Sequence, residues 1–109
     1  MNRVHYQQFS SIPSDQLYKI LKLRQDVFII EQNCIYSDID NYDQKAQHLL
    51  YFEDDNLIGY SRLLPPGIKY PEASIGRIIS NPEFRGKGIG KTVVGDSIQI
   101  LHYLSRLKR

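Results

Sequence analysis

Between residues 84 and 91 the chain reads Phe-Arg-Gly-Lys-Gly-Ile-Gly-Lys, with glycines at 86, 88 and 90 and cations at 85, 87 and 91. The β-prone run Ser74-Ile75-Gly76-Arg77-Ile78-Ile79 precedes it and is stopped by Asn81-Pro82. After it, Val93, Val94, Ile98, Leu101 and Leu104 recur at helical spacing, which predicts a helix from about Gly88 to Leu107 with these residues towards the core. A strand, a glycine-rich turn and a helix in that order leave few folds open. A helix N-terminus presents unpaired N–H groups and a partial positive charge, so glycines placed there let an anion such as pyrophosphate approach the backbone. Arg85, Lys87 and Lys91 add full charges. The plainer alternative is that the glycines only shape the turn.

The rest of the chain supplies a sheet and one more helix. Val4 to Phe9 is strand-prone, and the turn residues Ser10 to Pro13 lead to Ser14 as a helix N-cap. Leu17, Ile20, Leu21, Val27 and Phe28 predict a helix from Asp15 to about Glu31. The stretch Asn33 to Lys45 carries Asp38, Asp40, Asn41 and Asp43 and reads as a long connection, a place where functional residues collect. Gln47 to Phe52 and Leu57 to Leu64 flank the polar turn Glu53-Asp54-Asp55-Asn56, a hairpin signal, and Pro65-Pro66-Gly67 ends the second strand. The order is strand, helix, three strands, helix, within a single domain spanning 1–109.

With 109 residues, 41% hydrophobic and 24% charged, this is ordinary globular usage. No run approaches the roughly 20 apolar residues of a membrane-spanning helix. One cysteine and an N-terminus without a signal-peptide pattern point to the cytoplasm. The net charge of +2 conceals a division. Residues 1–55 hold five Lys/Arg against nine Asp/Glu, and residues 56–109 hold nine against three, so the second half attracts anions. The basic residues are scattered over several elements without a continuous basic face, which argues for phosphate and against nucleic acid.

Two common phosphate motifs fail on these residues. A P-loop needs glycine five positions before Gly90-Lys91-Thr92, and Arg85 stands there. The dinucleotide fingerprint needs a small residue at Lys91 and an acidic residue about 20 positions on, and neither is present.

Arg85, Gly88 and Gly90, placed after a strand and before a helix, meet the Arg/Gln-x-x-Gly-x-Gly/Ala signature of GNAT acetyltransferases. The run Leu23-Arg24-Gln25-Asp26-Val27-Phe28-Ile29-Ile30-Glu31-Gln32-Asn33-Cys34 resembles the ElaA-like branch of that superfamily. So do Tyr36 to Asp40, Ala46 to Leu50, Tyr60 to Gly67 and Ser74 to Ile78, in the same order along residues 4 to 100. The resemblance implies an α/β protein of the acyl-CoA N-acyltransferase fold, a mostly antiparallel mixed sheet with helices packed on it. It implies acetyl-CoA as cosubstrate, no metal, and direct transfer of acetyl to a small-molecule or peptide amine. By motif position, Ile78, Ile79 and Ser80 hold the pantetheine arm, and Arg85, Gly86, Lys87, Gly88, Ile89, Gly90 and Lys91 hold the pyrophosphate.

The general base is open. Arg24 and Glu31 are seven apart and share the apolar helix face, so they serve either as an ion-pair network with the aspartates of the following loop or, for Glu31, as a catalytic carboxylate. His48 is the second candidate, against the alternative of a solvated or core-satisfied histidine. Arg77 anchors its strand by ion pairing or touches substrate. Cys34 has no evident base beside it. The aspartates of the loop suggest a cationic amine, or only a solvated loop. GNAT domains usually continue past the phosphate-loop helix with further strands, so the domain reads as C-terminally incomplete. The fourth strand then has an open edge, from which a homo-oligomer is expected. The alternative function is a truncated, non-catalytic GNAT module that binds coenzyme A or a protein.

Overall fold

A computed structural model describes residues 2–33 and 35–106. Cys34 and Leu107 lie outside the described residues. Four strands form one antiparallel sheet in chain order: β1 (Asn2–Gln8), β2 (Gln47–Glu53), β3 (Asn56–Leu64) and β4 (Ser74–Ser80). Helix α1 (Ser14–Arg24) with its extension covers one face, and α2 (Ile89–Arg106) covers the other. Because both faces are covered, β3 is buried from Leu57 to Leu64 instead of alternating with polar residues. Along β2 the side chains divide by parity: Leu50 and Phe52 join Ile20, Leu23 and Val27 under α1, whereas Leu49 and Tyr51 join Val93 and Leu104 under α2.

Three local features differ from the sequence expectation. Ser14 is the first residue of α1, not its cap; Pro13 precedes it and its carbonyl accepts from Leu17 N at 2.9 Å. Proline suits this boundary because it needs no N–H partner and its φ is preset. The predicted helix over 15–31 is continuous in path but changes winding: Gln25–Glu31 is a π-helical segment. Wider i to i+5 winding turns the chain less per residue, so Glu31 does not return to the face of Arg24 seven residues earlier. On α2, Val94 and Ile98 are exposed, and the inner stripe is Val93, Ser97, Ile100 and Leu104. Ser97 is tolerated inside because its hydroxyl bonds Val93 O at 2.6 Å and the Ser61 hydroxyl at 2.7 Å.

Close approach of α2 to the sheet depends on Gly59. A Cβ there would lie 2.8 Å from Ile89 Cγ2 and 2.9 Å from Val93 Cγ2. The first turn of α2, and with it the end of the glycine loop, therefore rests directly on the β3 backbone.

Candidate functional site

The glycine-rich turn sits between β4 and α2 as the sequence requires. Gly86 and Gly88 have φ of +90° and +76°, conformations that side-chain-bearing residues rarely adopt, and a Cβ at either would meet nothing within 4 Å. The turn is thus exposed backbone with room beside it. Gly90 lies in the first turn of α2, with its Cβ direction 3.8 Å from Ser80 Cβ at the end of β4. The α2 ladder begins with Thr92 N donating to Gly88 O at 3.2 Å, so the amides before Thr92 face outward from the helix start. Lys87 packs over the Phe84 ring at 5.3 Å and stands 3.6 Å from Glu53. Lys91 is exposed on the first helical turn.

Arg85 is held differently. Its two terminal nitrogens donate to Glu31 Oε2 and Oε1, each at 2.8 Å, in a bidentate pair across 54 residues of sequence. Hydrogen bonding to Arg85 holds the exposed Glu31 carboxyl below the usual glutamate range. The end of the π-helical segment thus abuts the glycine-rich turn.

β4 carries the second feature. Tyr60 pairs with Ile79 but Arg62 with Gly76, so β4 has one residue more than β3 at Arg77-Ile78, a β-bulge. Arg77 has φ of +52°, where bulges ordinarily place glycine. Its guanidinium explains why arginine is kept there: Nε donates to Asp38 Oδ1 at 2.8 Å, and Nη2 to Asp38 O at 3.1 Å and Asp40 Oδ2 at 3.3 Å. It also lies over the Tyr36 ring at 5.4 Å. The strained bulge is therefore fastened to the loop of residues 35–42.

That loop is organised by three arginines. The fully buried Arg24 donates to Asp38 and Asp43, and Arg62 to Asp40 and Asp43, with N to O distances of 2.7 to 3.0 Å. The expectation of a network between Arg24, Glu31 and the aspartates holds for Arg24 and not for Glu31, which faces Arg85 instead. Burial alone would raise the Asp40 pKa, but hydrogen bonds from Arg62 outweigh it and bring it down to about 2. The aspartates that suggested recruitment of a cation are consumed in neutralising buried guanidinium groups.

His48 is 1% exposed. Its Nε2 donates to Asp43 O at 2.9 Å, so in the neutral ring Nδ1 accepts from the Tyr60 hydroxyl at 2.7 Å. Burial lowers its pKa and keeps the ring neutral. Sequence reading missed Tyr60 and Asp43 as its partners and Tyr51, whose hydroxyl donates to Asp96 and ties β2 to α2.

The model of the acetyltransferase (GNAT) family matches residues 14–103, which include α1, the sheet from β2 to β4, the glycine turn and most of α2. The chain belongs to the GNAT acetyltransferase family. Within it, the chain is 39% identical over 95 residues to the UPF0039 protein sll0451 of Synechocystis, covering 86% of this chain and 62% of that protein. It is 35% identical over 92 residues to protein ElaA of Escherichia coli, covering 83% and 60%. The chain therefore spans about three-fifths of the length of these relatives. The crystal structure of E. coli ElaA superposes with a TM-score of 0.86 at 31% identity over 94% of this chain and 71% of that one. An acyl-CoA N-acyltransferase from Pseudomonas aeruginosa gives 0.87 at 30% identity, over 95% and 73%. The GNAT fold expected from the sequence is the fold observed.

Proposed function

We propose that the chain binds acetyl-CoA at the turn before α2 and forms part of an N-acetyltransferase acting on an amine. The observation that carries this reading is the pair of left-handed glycines, Gly86 and Gly88, with open space beside them at a helix N-terminus flanked by Arg85, Lys87 and Lys91. Exposed amides flanked by exposed cations suit a pyrophosphate, so the residues present fit the group. Ile78 in the bulge, and Ile79 and Ser80 beyond it, offer backbone to the pantetheine arm. When bound, acetyl-CoA would supply an activated thioester, whose acetyl carbon would bond to the amine nitrogen as the carbon–sulfur bond breaks, the proton lost by nitrogen being balanced by the one gained by the departing thiol.

Glu31, the carboxylate the sequence offered as a base, is a positioning residue in this reading. It is exposed beside the loop, and its partner Arg85 belongs to the phosphate-binding set. Its two oxygens hold the guanidinium at the turn, whereas the thioester of acetyl-CoA would lie a pantetheine arm away from the pyrophosphate, out of the carboxylate's reach. His48 has both ring nitrogens committed inside the core and serves as a strut between β2 and the arginine-bound loop. Among the described residues β4 is an edge strand, and pairing of that edge in a homo-oligomer belongs to the same proposal.

Calorimetric titration with acetyl-CoA tests it, using Lys87→Glu and Gly88→Asp beside the parent chain. Lys87 is exposed and its replacement spares the backbone, so binding at least tenfold weaker in Lys87→Glu and undetectable in Gly88→Asp is the expected result. Equal binding by all three would overturn the assignment of the turn. Binding without acetylation of any amine in a broad screen would identify a coenzyme A-binding module instead.

A further inference from the structure

A groove of about 590 Å³ runs between the outer face of α1 with its π-helical end and the loop that follows. Leu21, Ile29, Ile30, Tyr36 and Ile39 form its apolar walls, and Gln25 is a polar residue along it. Lys22, Ser37 and Asp38 are further polar residues of the lining, and the volume is typical of small-molecule sites. Ile30 and Ile39 are 62% and 67% exposed. Single exposed isoleucines are ordinary, but here they converge on one concavity.

Two contacts place this groove beside the proposed acetyl-CoA path. Ile30 is followed by Glu31, which grips Arg85 of the phosphate turn. Tyr36 and Asp38, both on the groove, hold Arg77, the residue before Ile78 on β4. Its charge is equally defined. Asp38, Asp40 and Asp43 face Arg24, Arg62 and Arg77 in a set of three anions and three cations, and Lys22 on the groove pairs with Asp26. This network has no net negative charge with which to draw a polycation, whereas the walls reward burial of carbon.

We propose that the groove holds the apolar body of the acceptor, and that the acceptor class is a monoamine on an alkyl or arylalkyl frame and not a polyamine. The proposal rests on the acetyl-transfer reading and narrows it. The amine would lie along the Ile30–Ile39 wall, and a second ammonium group would find on the lining only Asp38, already held by Arg24 and Arg77.

The test has two stages, so that failure of either reading is visible. Coenzyme A binding is measured first; its absence overturns the acetyl-transfer reading and this proposal with it. The protein saturated with coenzyme A, which cannot react, is then titrated with phenethylamine and with spermidine. Phenethylamine is expected to bind at least tenfold more tightly. Ile30→Asp and Ile39→Asp, both at exposed positions that should not disturb folding, are expected to weaken phenethylamine about tenfold, leave coenzyme A affinity unchanged and favour spermidine. Equal or tighter binding of spermidine by the parent, or unchanged phenethylamine binding in both variants, would overturn the proposal. Sedimentation of the same variants completes it: a parent dimer that both substitutions convert to monomer would show the groove to be filled by a second copy, and would overturn it as well.

Discussion

Single residues carry most of what is unusual in this molecule, and Arg77 shows how. A positive φ is costly for arginine, and it is offset by three hydrogen bonds and a stacked tyrosine. Arg77→Gly relieves the backbone but releases the loop, so faster hydrogen exchange over residues 35–42 with little global destabilisation is expected from exchange mass spectrometry. The sequence offered Arg77 as an ion-pairing anchor, but the bulge left no trace in it, because no glycine marks the left-handed position. His48 carries a different consequence. Replacing it with phenylalanine strands the Tyr60 hydroxyl and the Asp43 carbonyl in the core, and a loss of roughly 1–3 kcal/mol is expected by urea denaturation. The two partners stand 12 and 5 residues from His48, in different elements, so no local pattern could reveal them.

At the scale of elements, the helix-and-strand order was legible because periodicity and turn chemistry report it directly. The hairpin around Glu53 to Asn56 and the strand, turn and helix around Gly88 are examples. Winding was not legible: apolar spacing over 25–31 is compatible with α or π turns, and hydrogen-bond register decides between them. Helix α2 and β3 meet at Gly59, where an added methyl intrudes on Ile89 and Val93. Gly59→Ala is therefore expected to cost about 1–3 kcal/mol by thermal or urea unfolding and to weaken acetyl-CoA binding, because the displaced end of α2 is the end that bears the glycine turn. Arg24 links α1 to the loop from within the core. Arg24→Met leaves Asp43 with Arg62 and Asp38 with Arg77, three carboxylates facing two guanidinium groups, and a loss of about 3–5 kcal/mol is expected by urea denaturation because one anion is left uncompensated.

For the whole molecule, the buried ionic network sets the response to acid. His48 has a folded-state pKa lowered from 6.5, so the unfolded chain binds the extra proton and stability declines as pH falls below about 6.5. Asp40 contributes a second decline: its stabilisation is complete above the unfolded value of 3.8 and is lost as pH falls towards about 2. Unfolding midpoints at pH 7.5, 5.5 and 3 are expected to fall in that order, and the first step is expected to flatten in His48→Phe. Among the described residues each strand pairs only with its neighbour in sequence, in the order β1-β2-β3-β4. Such a meander needs no strand to be threaded between two others. As the chain leaves the ribosome, β2 can dock on β1, β3 on β2 and β4 on β3 as each emerges, with loop closure between β2 and β3 costing little. The arginines at 62 and 77 then arrive after the aspartates they neutralise, so those carboxylates wait in water until their partners are made.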